Sequence, residues 1–202
     1  MKGVLIMKMI KTKGKITDHF AGSEFACKGS CTCGKINIDE QFVQRMEKLH
    51  NMLSQLSCGC KAVYITSGYR CAKACQIIKG AFVGDMHNIG AAADFYAEDK
   101  TGVTIDSATL CEAAQLCGFG GIAMIDPISA HVDDRQRGDI HYTNKQWYGN
   151  EYTGQSYMTF IGKSKYTAEL AAIAKGKPLQ QKKHIKVKIW IDDHEYSGLL
   201  DD

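Results

Sequence analysis

The chain has 202 residues, of which 45% are hydrophobic and 23% are charged, a composition typical of a soluble globular domain. Its 25 basic and 22 acidic residues leave a net charge of +3, which is too small an excess to indicate a nucleic-acid partner. No apolar run approaches the ~20 residues that a membrane-spanning helix needs. We therefore expect no nucleic-acid binding and no membrane insertion, and we expect a monomer.

Residues 1–16 are predicted to form a short extended lead. The basic residues at the start are typical of an export signal, but the apolar run Val4–Met7 is interrupted by Lys8. An export signal needs an apolar stretch of roughly 7–15 residues. We therefore expect synthesis in the cytoplasm without a signal peptide.

Hydrophobic periodicity predicts the elements that follow. Apolar residues at steps of three and four predict an amphipathic helix over 39–56, with Asp39 as its N-cap. Further along, Asp106 is predicted to cap a helix that Gly118 ends. The other predicted elements are, in chain order, a strand over 62–66, a helix over 72–78, a glycine-rich loop over 80–90, a strand over 91–96, that capped helix over 107–117, and strands over 120–125 and 130–133.

These elements do not alternate as regular βαβ units, which favours an α+β fold with a small mixed or antiparallel sheet and flanking helices. We assign residues 1–16 to an N-terminal extension and residues 17–162 to the main domain. Residues 163–202 are predicted to form a lysine-rich helical connector and an appended hairpin over 184–200, where polar and apolar residues alternate.

The segment from His87 to Asp94 has the composition of a metal site. Histidine and aspartate, the residue types at its two ends, are common zinc ligands. The glycine and alanines between them are small enough to let neighbouring chain segments approach closely. His131 offers a third ligand. Because residues two apart on a strand share a face, Asp133 can point into the same site as His131 and act as an acid or base. His141 is the alternative third ligand.

Three blocks follow one another along the chain: Thr66-Ser67-Gly68-Tyr69-Arg70, His87-x-x-Gly90-x-Ala92-x-Asp94 and His131-Val132-Asp133-Asp134-Arg135. In this order they resemble the zinc D-Ala-D-Ala carboxypeptidase family, which also contains L-alanyl-D-glutamate endopeptidases and phage endolysins. The resemblance runs from about His19 to Trp147, and it implies a fold like that of Hedgehog and the DD-peptidases.

The resemblance implies one zinc ion held by His87, Asp94 and His131, with water in the fourth position. Zinc lowers the pKa of its water to roughly 7, and a nearby carboxylate takes the proton and passes it to the leaving amine. Asp133 is the first candidate for that carboxylate and Asp126 is the second.

The same resemblance assigns the substrate side of the site to the first block. Arg70 is expected to bind substrate near the scissile bond, because a guanidinium suits both a terminal carboxylate and a developing oxyanion. Tyr69 and Ser67 are expected to bind substrate beside it. The chain departs from the family pattern in having Asp85-Met86 where a Ser-Gln pair is usual, and Cys75 near the usual place of an asparagine.

The implied function is hydrolysis of amide bonds in the peptide stem of bacterial peptidoglycan, of the carboxypeptidase or the endopeptidase type. A phage or prophage endolysin fits this reading, because such an enzyme is made in the host cytoplasm and acts on the cell wall. The alternative is a non-catalytic, zinc-stabilised module of the same fold that binds the wall or forms part of a virion.

The chain contains 9 cysteines. Cys27, Cys31 and Cys33 could form a second, structural zinc site with either the pair 58 and 60 or the pair 71 and 75. However, Cys-x3-Cys-x-Cys is not a standard zinc-finger spacing, and no Cys-x2-Cys pair occurs. The sequence therefore favours buried thiols with one or two disulfides over a second zinc site.

Overall fold

A computed structural model describes residues 7–28, 31–176, 185–191 and 194–200, the last two ranges as backbone only. It confirms the α+β class: a mixed six-stranded sheet is accompanied by two antiparallel two-stranded sheets and flanking helices. No helix within these ranges is long and apolar enough to cross a membrane.

The elements follow one another as short strands and helices. The strands are β1 (Met9–Ile10), β2 (Ile38–Asp39), β3 (Ala62–Ser67), β4 (Ala92–Glu98), β5 (Gly121–Met124), β6 (Ser129–Asp133), β7 (Trp147–Asn150), β8 (Gln155–Ser156), β9 (Ile185–Ile191) and β10 (His194–Leu200). The helices are α1 (Glu40–Ser54), α2 (Ala72–Ile77), α3 (Met86–Ile89), α4 (Ser107–Cys117) and α5 (Thr167–Ala174), and a 3-10 turn covers Gly22–Phe25.

The main sheet has the strand order β3-β4-β6-β5-β7-β8. Its neighbours are antiparallel except for β5 and β7, which run parallel. Strands β4 and β6 are therefore both internal strands of the sheet. Strand β4 pairs with β6 in a register that sets Asp94 directly opposite His131.

Two capped helices cover the sheet and supply its core. The Asp39 carboxylate accepts a hydrogen bond from the Phe42 backbone at the start of α1, and Asp106 caps α4 in the same way. Gly118 ends α4 in a left-handed conformation with φ 89°. The predicted caps and the predicted end of α4 are thus confirmed. The apolar stripe of α1 lies in the core, with Phe42, Val43, Met46, Leu49 and Leu53 fully buried.

Three local features differ from the sequence prediction. The glycine-rich loop contains the single-turn helix α3, and the predicted extended lead contributes β1, which pairs with β2. Strands β7 and β8 were not predicted. Both strands are short. Strand β7 pairs in parallel with β5, and Tyr148 lies opposite Ile122, which is 26 positions earlier in the chain. A local pattern of alternating residues therefore does little to predict β7.

Helix α5 packs on the same core as the sheet. Leu170 is fully buried there, and Glu169 accepts hydrogen bonds from the backbone and hydroxyl of Ser57. The turn before α5 is held by Glu112 of α4, which is 1% exposed. Its carboxylate accepts hydrogen bonds from the backbone of residues 162–164 and from the hydroxyl of Thr167, at 2.8–3.1 Å.

The last two described ranges form an antiparallel hairpin, with Ile185 opposite Leu200 and Ile191 opposite His194. The alternation of polar and apolar residues had indicated strands here. Residues 177–183 of the predicted connector, and residues 184, 192 and 193 of the predicted hairpin, lie outside the described residues.

A single methyl group added to β5 tests how tightly the central strands pack. A Cβ at Gly121 would lie 2.1–2.4 Å from the carboxyl atoms of Asp133, whereas a Cβ at Gly138 would meet nothing within 4 Å. We expect Gly121→Ala to lower the free energy of unfolding by about 1–3 kcal/mol through overpacking. Gly138→Ala is the control and should change it by less than about 0.5 kcal/mol. Urea unfolding of both variants checks this; equal stability would show that Asp133 moves aside freely.

Candidate metal and catalytic site

Three separate elements bring the predicted metal ligands together. His87 lies on α3, Asp94 on β4 and His131 on β6. The Asp85 carboxylate caps α3 by accepting a hydrogen bond from the Asn88 backbone at 2.7 Å. The positive φ of Gly90, 85°, ends the helix and turns the chain into β4.

The ligand atoms form a triangle of the size that zinc requires. His87 Nε2 lies 3.3 Å from His131 Nδ1 and 3.3 Å from Asp94 Oδ1, and His131 Nδ1 lies 2.8 Å from Asp94 Oδ1. Tetrahedral ligands about 2.0–2.1 Å from zinc would be separated by about 3.3 Å. The three side chains therefore fit a zinc ion bound through these atoms with one further position for water or substrate.

Hydrogen bonds behind the triangle select the ring nitrogen that each histidine presents. His87 Nδ1 lies 2.7 Å from the Gly68 carbonyl oxygen, so it donates a proton there and leaves Nε2 as the acceptor for a metal. His131 Nε2 lies 3.1 Å from Asp133 Oδ2, which leaves Nδ1 facing Asp94 and His87. Partners of this kind orient metal-ligating histidines and raise their basicity.

Arg70 holds the carboxylate of the metal site. Its Nη2 donates to Asp94 Oδ2 at 2.7 Å, and its Nε donates to Ser67 Oγ at 3.1 Å. Asp94 thus uses one oxygen for the ligand triangle and the other for the guanidinium. The arginine is in turn fixed by its backbone, because its carbonyl accepts a hydrogen bond from Asn88 Nδ2 at 2.8 Å.

The charges at the site are arranged to receive a cation. Burial opposes ionisation of Asp94, but the charge of His87 and hydrogen bonds from both histidines outweigh burial and hold the pKa of this carboxyl well below its usual range. Burial would lower the pKa of His131, yet its hydrogen bonds to Asp133 and Asp94 raise that pKa to about 10. The negative charges of Asp94 and Asp133 therefore favour a positive charge at His131, and the same charges would favour a bound metal cation.

A cavity of about 190 Å³ opens over the ligand triangle. It is polar, and its walls come from one end of the β4–β6 pair, from the segment around α3 and from the segments that follow β6 and β7. Its lining residues are Arg70, Gly80, Asp85, Met86, His87, Asp94, His131, Asp133, Arg135, Tyr142, Trp147 and Glu151.

Several of these residues were not singled out from the sequence. Arg135 stands between two aromatic rings, 5.1 Å from the centroid of Tyr142 and 5.3 Å from that of Trp147. Glu151 follows β7, and its exposed side chain lines the cavity. Only the unpredicted parallel pairing of β5 and β7 brings Trp147 and Glu151 to the site, so no local motif could have revealed them.

The remaining candidates lie in different surroundings. Asp133 is fully buried beside the triangle. Asp126 lies in the turn between β5 and β6, where Oδ1 accepts backbone hydrogen bonds from Ile128 and Ser129 at 2.8 and 2.7 Å, and it is not among the described lining residues. Tyr69 packs against a cluster of cysteines, and His141 is exposed and outside the triangle.

Comparison with known proteins agrees with this geometry. The model of the family described as Peptidase M15 matches residues 18–133, more than half of the chain. The chain therefore belongs to the Peptidase M15 family, whose members are zinc metallopeptidases. No curated protein and no solved structure matches the chain significantly.

Substitutions at His131 and at Asp133 distinguish a residue that binds zinc from a residue that orients a zinc ligand. His131→Ala removes one of three ligands, so we expect it to abolish zinc binding at this site. Asp133→Asn removes only the charged partner of His131 and should weaken zinc binding about 10–100-fold while keeping its stoichiometry. Competition with a chelating dye measures both. Unchanged affinity in Asp133→Asn would contradict the orienting role of this carboxylate.

Proposed function

We propose that the protein is a zinc-dependent peptidase that hydrolyses amide bonds in the peptide stem of bacterial peptidoglycan. Membership of the Peptidase M15 family supports the reaction and the substrate class. The observation that carries the proposal is the triangle of His87, Asp94 and His131, which has zinc-ligand spacing and opens into a cavity beside Arg70.

The bound zinc ion, Arg70 and Ser67 would have different roles in hydrolysis. When bound, zinc supplies a Lewis acid that lowers the pKa of water and polarises the scissile carbonyl. Arg70 uses Nε for Ser67 and one N–H of Nη2 for Asp94. The remaining N–H groups, on Nη1 and Nη2, are those with which it would bind a substrate carboxylate or the oxyanion of the tetrahedral intermediate. Ser67 fixes the guanidinium plane for that contact.

Tyr69 supports this arrangement from behind. Its backbone N–H donates to the Phe25 carbonyl at 2.9 Å, and its ring packs on the neighbouring cysteines. We propose that Tyr69 holds the segment from Ser67 to Arg70 in place, and that any contact it makes with substrate comes from the edge of the site.

Asp133, the first candidate for the acid and base, is committed to neighbouring groups. Arg135 donates to both of its oxygens, at 2.6–3.0 Å, and His131 is bonded to Oδ2. Burial opposes its ionisation, but these hydrogen bonds and charges hold the pKa of Asp133 well below its usual range. A carboxylate with such a pKa is a weak base near neutral pH, so we propose that Asp133 positions His131.

Glu151 is the better placed carboxylate for proton transfer. It lines the same cavity and is exposed to the solvent that fills it. Within the described part of the chain, no hydrogen bond or ion pair engages its side chain. We propose that Glu151 accepts the proton of the attacking water and returns it to the leaving amine.

Substitution of the three candidate carboxylates tests this assignment. We expect Glu151→Gln to lower kcat about 10²–10⁴-fold, because general acid–base catalysis is lost, and to leave zinc content unchanged. Asp133→Asn should lose activity together with zinc affinity, and added zinc should restore part of it. Asp126→Asn should keep kcat within a few-fold of wild type. A large loss in Asp126→Asn with an active Glu151→Gln would transfer the role to Asp126.

Digestion of purified peptidoglycan tests the function as a whole. Wild-type protein should release new amines and reduce turbidity, whereas chelator-treated protein and His87→Ala should do neither. The fragment masses identify the bond: loss of a terminal alanine indicates a carboxypeptidase, and cleavage within the stem indicates an endopeptidase. An endolysin, made in the host cytoplasm and active on the wall, would fit the second result.

Zinc binding without cleavage would support the alternative function. A protein that carries zinc at the triangle but cleaves no wall preparation would be a non-catalytic module. Sedimentation with insoluble peptidoglycan would then show binding that chelation reduces.

A further inference from the structure

We propose that the chain has a second metal site, in which Cys27, Cys31, Cys33 and Cys71 bind a structural zinc ion or another thiophilic divalent ion. The sequence had favoured buried thiols with one or two disulfides. No disulfide joins any of the nine cysteines in the described structure, and these four come together. Their sulfur atoms lie within 4.8 Å of one another.

The spacing of the sulfur atoms fits metal coordination. Cys31 Sγ lies 3.4 Å from Cys27 Sγ, 3.5 Å from Cys33 Sγ and 3.5 Å from Cys71 Sγ. Four thiolates at about 2.3 Å from zinc would be about 3.8 Å apart. The cluster is thus slightly more contracted than a loaded site. Because Cys31 adjoins all three other thiols, a disulfide to one of them would leave the remaining two without it, whereas one metal ion serves all four.

Two distant segments are folded to make this contact. The loop that carries the first three cysteines is closed by a hydrogen bond from the Cys27 N–H to the Lys35 carbonyl at 2.8 Å. Between Cys31 and Cys33 the backbone of Thr32 takes a positive φ of 49°, a conformation that is uncommon for a threonine. This turn brings both neighbouring thiols to the cluster.

The fourth cysteine comes from the start of α2. Cys71 is its N-cap residue, and the Cys71 N–H donates to Cys27 Sγ at 3.5 Å, an interaction that favours a thiolate as the acceptor. Cys27, Cys31 and Cys71 are buried, and Cys33 is exposed at the edge of the cluster. Four cysteine ligands would fill the tetrahedral coordination of a zinc ion and leave no open position, as in a structural rather than a catalytic metal site.

The position of this site gives it a structural role at the catalytic centre. Cys71 directly follows Arg70, whose N–H donates to the His87 carbonyl at 3.2 Å. A metal ion that ties Cys71 to the N-terminal loop would fix the segment that carries Arg70. The two metal sites share no ligand, so each can be emptied without substitution of a ligand of the other.

Metal content per chain tests the proposal independently of activity. After purification with a reductant and zinc, wild type should hold two zinc ions, whereas His87→Ala and Cys31→Ser should each hold one. Cys58→Ser is the matched control, because Cys58 is partly buried but outside the cluster, and it should hold two. A wild type that binds one ion and a His87→Ala variant that binds none would overturn the proposal.

Cobalt replaces zinc for a measurement that does not depend on the folding of a cysteine variant. His87→Ala keeps all four thiols, so its cobalt form should show thiolate-to-cobalt charge-transfer absorption in the near ultraviolet. Absence of that absorption, or disulfides among these cysteines in the mass spectrum of the reduced and zinc-loaded protein, would overturn the proposal. Failure of peptidoglycan cleavage would leave the cobalt result unaffected, which separates this site from the proposed function.

Discussion

The pairing of β4 with β6 is the constraint on which the site depends. It sets Asp94 opposite His131 inside the sheet, where β3 on one side and β5 on the other prevent either strand from shifting. Side chains alternate between the faces of a strand, so a slip of one residue would send one ligand to the opposite face. The buried alanines of β4, Ala93 and Ala97, and Phe95 between them fix this register from the core side.

Around that pair, each ligand is oriented by a group that itself has little freedom. The Gly68 carbonyl is held in place because the backbone of Gly68 packs directly against that of Phe25. The contact is so close that a Cβ at Gly68 would lie 2.5 Å from the Phe25 backbone. Asp133 is held by Arg135, which is stacked between two rings. Preorganisation of this kind lowers the cost of binding a metal or substrate, because few torsions remain to be fixed.

The sequence predicted the parts of the molecule that local chemistry determines. Asp39, Asp106 and Gly118 mark helix ends through contacts with their own neighbours, and the spacing of His87 and Asp94 already indicated a metal site. Glu151 was outside its reach, and the sequence left open whether residues 58 and 60 or residues 71 and 75 lie beside the first three cysteines. Glu151 reaches the cavity through a parallel strand pair, and Cys71 joins Cys27 from 44 positions away. No periodicity records such contacts, since they depend on how whole elements pack.

The buried carboxylate of Glu112 links the C-terminal helix to the integrity of the peptidase fold. Within the described residues, the donors to this carboxylate belong to the short stretch from Gly162 to Thr167. A chain that ended at Gly162, where composition changes, would strip this anion of most of its donors while α4 still enclosed it, and an unpaired buried charge is strongly destabilising. A shortened chain that keeps this carboxylate satisfied must therefore extend at least to Thr167, past the end of its recognisable motifs.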